Sequence, residues 1–426
     1  MIRLTLIAFS LALHSRGLAI GSIQAAGASR PGDEGRLILL APPGDQDVHG
    51  VYTLFETASS DRGARWSATV SFEPFSSATK SRSWSIDGPL IDFDEFLPRA
   101  HVFLFMADGR VHAVRRRLDA SAFEISDLDA SESIVSIDPE LTVLGVRGSQ
   151  DGRAHLLCSD GKSLSGLVYS RGALSADEAV DFDARGEVIV SAGFVRGQAA
   201  ADESAVAVIT YSESRDEFGL TLSNADPASR IHVGKADLEE GLRRHWLSYS
   251  SQWRSAQLSA TATDDGGVFV VAGFPKALGG LGVALVASSV DGQQLDVISF
   301  GRARAAIDGS GSLDRSNYGA TVMCVGDLDR DTIPDFVVTA PFAPFSSYAY
   351  FGSGADGSHL CTYETSLASR VGSSGMRLVG GEVLLAPAPP THPNLMCQLG
   401  RAVRLGVEPV GRTGRLRVTH RFIDLR

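Results

Sequence analysis

Residues 318–341 read YGATVMCVGDLDRDTIPDFVVTAP. Asp327, Asp329, Asp331 and Asp335 fall at relative positions 1, 3, 5 and 9 of one short stretch. Apolar residues run up to the first acid and resume after the last, so the segment reads as strand, tight acidic loop, strand. Alternation at the first three acids turns their carboxylates to one side, and Asp335 adds a fourth at the start of the next strand. A hard cation such as calcium takes about six to eight oxygens at about 2.3–2.6 Å, and a loop of this kind supplies them. A backbone carbonyl near Ile333 is expected to complete the cage, with Leu328 and Ile333 anchoring the loop to the core. The segment is not an EF-hand, whose loop needs a Glu at its twelfth position and flanking helices. That position holds Val338.

The same strand pattern recurs along the chain without the acids. Seven runs stand out: RLILLAPPG from Arg36, HVFLFMADG from His101, LTVLGVRG from Leu141, EVIVSAGF from Glu187, VFVVAGFP from Val268, DFVVTAPF from Asp335 and EVLLAPAP from Glu382. Such near-continuous Val/Ile/Leu runs mark strands buried on both faces. The blocks from Val268 and Asp335 align as strand, loop, strand, Asp-Gly turn, strand. Asp291-Gly292 and Asp356-Gly357 read as type I′ hairpin dipeptides, as do Asp108-Gly109 and Asp160-Gly161. Spacings of about 40 to 80 residues between runs bracket a four-stranded β-propeller blade. The expected fold is therefore all-β: a single propeller of about seven four-stranded blades over residues 29–426. One insertion is expected to be helical, over Lys235–Tyr249, where Leu238, Leu242 and Trp246 recur every four residues.

The segment 318–341 resembles an FG-GAP repeat, the blade motif of integrin α-subunit propellers and of many secreted bacterial proteins. Tyr318-Gly319 stands at the FG position, the four Asp at the calcium loop, and Thr339-Ala340-Pro341 at the GAP position. The resemblance is specific for this repeat and weak for the blocks around Val268 and Glu382. It implies a structural calcium at Asp327, Asp329, Asp331 and Asp335, and a propeller serving binding or adhesion. Thr332 stands where the family loop usually carries Gly, and a positive φ there would strain a β-branched residue. Thr263-Asp264-Asp265-Gly266 and Asp181-Phe182-Asp183 read as fragments of decayed loops.

Met1-Ile2-Arg3, the apolar Leu4–Leu13 run and Ala26-Gly27-Ala28 read as a signal peptide over residues 1–28, giving a secreted, extracellular or periplasmic protein. The net charge of −11 argues against a nucleic-acid partner. No apolar run reaches the length of a membrane span. Cys158, Cys324, Cys361 and Cys397 form no C-x-x-C pair, and Cys361 with Cys397 is the disulfide to test. Cys324 reads as a small buried hydrophobe.

The ten His make no metal pair, and there is no nucleophile elbow or P-loop. His101 and His112 read as exposed cross-strand neighbours. The expected function is non-catalytic: binding of a protein or glycan by a monomeric propeller. The alternative is a propeller-fold enzyme acting on polysaccharide, as lyase or hydrolase.

Overall fold

The computed structural model describes residues 36–40, 50–59, 65–74, 82–89, 102–107, 110–116, 123–130, 132–148, 153–196, 205–225, 230–234, 256–275, 277, 282–290, 292, 294–301, 316, 318–341, 346–366, 376–379, 382–385, 401–410 and 415–424. For the first four strands only the backbone is described. The expected signal peptide, the helix at 235–249, His101 and Asp108-Gly109 lie outside the described residues.

The chain is built from consecutive antiparallel meanders. The first sheet is β1 (Arg36–Leu40), β2 (Gly50–Ser59), β3 (Arg65–Pro74) and β4 (Arg82–Pro89). The second is β5 (Val102–Ala107), β6 (Arg110–Arg116), β7 (Phe123–Asp127) and β8 (Glu132–Ser136). The third is β9 (Thr142–Gly148), β10 (Ala154–Ser159), β11 (Ser163–Ser170) and β12 (Ala173–Asp183). An eight-stranded sheet joins two meanders. One is β13 (Val188–Arg196), β14 (Val206–Ser212), β15 (Glu217–Leu222) and β16 (Ile231–Gly234); the other is β17 (Gln257–Ala262), β18 (Val268–Phe274), β19 (Val283–Ser289) and β20 (Asp296–Gly301). Their seam is a short parallel pairing of β13 with β17, Val195 opposite Ala260 and Arg196 opposite Thr261. Then come β21 (Val322–Cys324), β22 (Phe336–Ala340), β23 (Ser346–Gly352) and β24 (His359–Ser366), and finally β25 (Met376–Val379), β26 (Glu382–Leu385), β27 (Arg401–Val410) and β28 (Arg415–Asp424).

Successive side chains on a strand point to opposite faces, and here they enter different cores. On β10, Leu156 packs with Phe105 and Ile125 of the preceding meander, while Leu157 packs with Ile189 and Val208 of the next. On β14, Val208 and Ile209 divide in the same way. So do Val270 and Val271 on β18, and Val338 and Val337 on β22. Each of these meanders is thus sandwiched between its neighbours in chain order. The first strands β5, β9, β13, β17, β21 and β25 also lie next to one another in that order. Meanders stacked face to face with their first strands gathered together form a β-propeller. No helix among the described residues is long and apolar enough to cross a membrane.

The seven apolar runs fall in seven different meanders. The first four contain first strands, β1, β5, β9 and β13. The last three contain second strands, β18, β22 and β26. The aligned Val268 and Asp335 blocks are strands two to four of adjacent meanders.

Two of the Asp-Gly turns differ from expectation; Asp291 lies outside the described residues. Asp356 does not have the positive φ that a type I′ turn needs at both central residues; only Gly357 does. Gly352 pairs with His359, so the loop is longer than two residues. Its Asp instead accepts the Ser358 amide at 2.7 Å. Asp160 likewise accepts the amides of Lys162 and Ser163, each at 2.7 Å. Two-residue turns with both φ positive are Arg171-Gly172, at 51° and 77°, between the paired Ser170 and Ala173, and Arg185-Gly186, at 53° and 87°, closed by the Glu187 amide on the Ala184 carbonyl at 3.2 Å.

His112 is also unlike its expectation. It faces Phe105 across β5 and β6, is buried, and stacks on that ring at 5.2 Å, with Tyr169 edge-on at 5.2 Å. Cys361 is a buried free thiol; the Cys361–Cys397 pairing falls outside the described residues, because Cys397 does. Cys324 is buried as expected, its thiol donating to the Ser259 carbonyl at 3.3 Å.

Candidate metal centre

The acidic loop, residues 325–335, joins β21 to β22. Its base is closed by main-chain bonds. The Val325 amide donates to the Asp335 carbonyl at 2.7 Å, and the Gly319 amide to the Thr339 carbonyl at 3.0 Å. The residues at the FG and GAP positions are therefore bonded to each other. Gly319 sits at φ 89°, and a Cβ there would lie 2.8 Å from the Val283 carbonyl oxygen. Tyr318 before it is buried, edge-on to Tyr350 at 5.5 Å.

Three of the four expected ligands converge. Asp327, Asp329 and Asp335 each bring a carboxylate oxygen to within 4.8 Å of the others. Asp327 is exposed, Asp329 half-buried and Asp335 fully buried. Asp331 stands outside the group, its Oδ1 accepting the Ile333 amide at 2.8 Å. The physical reason is the backbone. Arg330 and Thr332 adopt φ of 69° and 77°, which breaks the strand-like alternation that would have turned Asp331 inward. Thr332 thus takes the left-handed conformation that favours Gly, and as a β-branched residue it is strained there.

The carboxylates also shape the loop. Asp335 Oδ2 accepts the amides of Leu328 (2.7 Å) and Asp329 (3.3 Å), and its Oδ1 accepts the amide of Gly354 (3.0 Å) in the loop between β23 and β24. One buried side chain therefore ties two loops together. Asp327 accepts the amides of Arg330 (2.5 Å), Asp331 (3.1 Å) and Thr332 (2.8 Å). A carboxylate offers about four lone-pair sites, so these bonds leave room for a cation. Leu328 packs against the core between the last two meanders, as the anchoring role requires.

Charge and burial fit a hard cation. Burial raises the Asp335 carboxyl to about 6, against the pull of the Gly354 and Leu328 amides. Burial, then the charge of Asp331, raises Asp329. Among the described residues no Lys, Arg or His forms an ion pair with Asp327, Asp329 or Asp335. The donor set is oxygen only, which suits calcium, magnesium or manganese rather than softer metals. Gly354, whose amide completes the Asp335 clamp, was not legible in sequence. It lies in the Gly-rich stretch GSGADG at 352–357, about twenty residues downstream, whose composition marks a turn but not the side chain it meets.

The decayed fragments gather no third carboxylate. Thr263–Gly266 joins β17 to β18, the same place in its meander as the acidic loop. There Asp265 only caps its own turn, accepting the Thr263 hydroxyl and the Gly267 amide. Asp181 and Asp183 are exposed on β12. Away from the loop, His155 Nδ1 meets Asp177 Oδ2 at 2.8 Å. Its buried Nε2 has no hydrogen-bond partner among the described residues.

No protein-family model matches the chain, and no curated protein matches it. Among solved structures, the chain is similar to Kluyveromyces lactis Hsv2, with 9% identity over 92% of this chain and 100% of that one, at a TM-score of 0.45. It is similar to Chaetomium thermophilum Sqt1, with 10% identity over 91% of this chain and 93% of that one, at 0.42. It is also similar to the β-propeller domain of the Trilobed protease from Pyrococcus furiosus, with 9% identity over 92% and 96%, at 0.41. Likenesses this distant carry no argument, and the fold rests on the chain's own sheets.

Proposed function

We propose that the chain is an exported, non-catalytic FG-GAP-like propeller of seven four-stranded blades that binds a protein or glycan partner. A calcium ion held by Asp327, Asp329 and Asp335 braces one blade. The eight-stranded sheet counts as two blades in this reading, because each half is a complete meander and only a short parallel seam joins them. The observation that carries the metal is the convergence of three carboxylates, one fully buried, with no ion pair to a basic side chain among the described residues. A buried carboxylate left charged costs stability, and a divalent cation offsets that cost. Calcium here is structural: it fixes the geometry of two adjoining loops and does no chemistry.

The test uses the Asp329→Ala variant. Chelator-treated wild-type protein is expected to melt higher when calcium is added, because a ligand of the folded state alone stabilises it by mass action. Asp329→Ala is expected to keep its β circular-dichroism spectrum and lose the calcium response. A variant that responds to calcium as the wild type does would place the ion elsewhere, and the site would be rejected.

A further inference from the structure

The last meander ends in a hairpin unlike the others. Strands β27 and β28 have ten residues each and pair along their whole length, whereas β25 and β26 have four. Strand β26 backs β27 only over Val403–Leu405. Beyond that point, Gly406–Val410 and Arg415–Thr419 pair only with each other among the described residues. Glu408, Pro409 and Val410 are exposed. A two-stranded ribbon is marginal in water, and a third strand stabilises it. Among the described residues strand β28 is the outer edge of its sheet, and unpaired main-chain groups on such an edge are a template for another chain.

The two faces of that edge differ in chemistry. Arg415, Arg417 and Arg421 lie on one face and are exposed. Arg415 and Arg421 make no ion pair among the described residues. Arg417 reaches Glu408 only at 3.7 Å, with both side chains at least 60% exposed, which is worth little. Arg404, opposite Arg421, is already held by Glu382. On the other face, Leu416 and Val418 pack at the margin of the core shared with the preceding meander. His420 and Phe422 continue that line, edge to face at 5.4 Å, and Phe422 is one of the exposed large apolar side chains. Residues 401–426 hold seven Arg against two acids, in a chain of net charge −11. The ribbon is a cationic island on an acidic protein.

We propose that β28 is a docking edge for an extended peptide of a protein partner in which acidic and apolar residues alternate. The peptide adds as a further strand. Its acids meet Arg415, Arg417 and Arg421, where the planar guanidinium fork matches a carboxylate. Its apolar side chains extend the Leu416–Val418–Phe422 row. Main-chain bonds supply affinity and the alternating side chains supply register. Charge alone would fit any polyanion; the open edge and the apolar row select a strand. This rests on the binding role proposed above but not on the calcium loop, so the two fail separately.

The experiment is fluorescence-anisotropy titration of the full chain with a labelled ten-residue peptide alternating Glu and Val. A block peptide of the same composition and a sulfated polysaccharide serve as controls. The alternating peptide is expected to bind at least tenfold tighter than the block peptide. Arg415→Glu/Arg417→Glu/Arg421→Glu is expected to lose at least tenfold, and Phe422→Ser to weaken the alternating peptide. These residues are exposed, so circular dichroism is expected to be unchanged. Equal binding of both peptides, or preference for the polysaccharide, would mean bare electrostatics and overturn the proposal. If neither peptide binds, and replacing the three Arg by Thr makes the protein aggregate, the charges only guard the edge and the proposal is wrong.

Discussion

Asp335 makes the calcium response a function of pH, and the sign follows from its burial. In the metal-free fold its carboxyl titrates at about 6, raised from 3.8. The folded state therefore holds a proton that the unfolded chain has released between those values. Stability from this group is fully present below pH 3.8 and is lost as pH rises through about 6. A shift of about two units corresponds to at most about 3 kcal/mol. Calcium needs the ionised carboxylate. At pH 7.5 almost every molecule has it; at pH 5 about one in ten does, so apparent affinity falls about tenfold, or about 1.4 kcal/mol. Calcium at about 100 times its dissociation constant contributes about 2.7 kcal/mol. For a fold of this size that is a rise of about 3 °C in melting temperature. The assay is differential scanning calorimetry with and without calcium from pH 5 to 7.5, at one fixed calcium concentration. The calcium-induced rise is expected to shrink by about half at pH 5. A rise that is the same at both ends of the range would refute the role of Asp335, and no rise at pH 7.5 would refute the site.

Two further outcomes are expected. Thr332→Gly relieves a β-branched residue at φ 77°, so it is expected to raise stability by about 1 kcal/mol and to tighten calcium, read from denaturant unfolding and calorimetric titration. Arg230→Met removes a guanidinium that is 7% exposed and paired with buried Glu187. Because a carboxylate is left short of its partner, a loss of about 3 kcal/mol is expected in urea unfolding, tempered by Arg215, which also holds Glu187.

How far the sequence reads depends on whether a feature is local. The strand runs are local: apolar over several consecutive residues, they need no partner to be recognised, and every one of them falls in a separate meander. Those on β18 and β22 are buried throughout, whereas Val188 on β13 is exposed. Part of the long gap between Glu187 and Val268 comes from a change of place, since the runs up to Glu187 mark first strands and those from Val268 mark second strands. The acidic loop is local too, and three of its four acids converge. Asp331 escaped because the alternation rule assumes extended backbone, and Arg330 and Thr332 are left-handed. Non-local features were invisible. Glu187 looked like the polar start of a strand; it is a buried ion-pair centre, because the Thr210 hydroxyl comes to it from β14, Arg215 from the loop after β14, and Arg230 from just before β16. His112 stood between residues of no strong pattern, and its burial follows from Phe105 across the strand and Tyr169 from the next meander.

The parallel seam between β13 and β17 has a mechanical consequence. There, Val195 and Arg196 register against Ala260 and Thr261, and the Thr261 hydroxyl donates to the Arg196 carbonyl at 3.0 Å. Two meanders stitched along their inner strands cannot tilt against each other without tearing directional bonds. Elsewhere among the described residues adjacent meanders meet mainly through apolar side chains, which slide at small cost, with only isolated directional bonds such as the Cys324 amide on the Ser259 hydroxyl and the Gly282–Tyr318 bridge. Strain applied to the ring will be relieved at those greased joints, and the stitched pair, with its large shared core, will ride through as one rigid block.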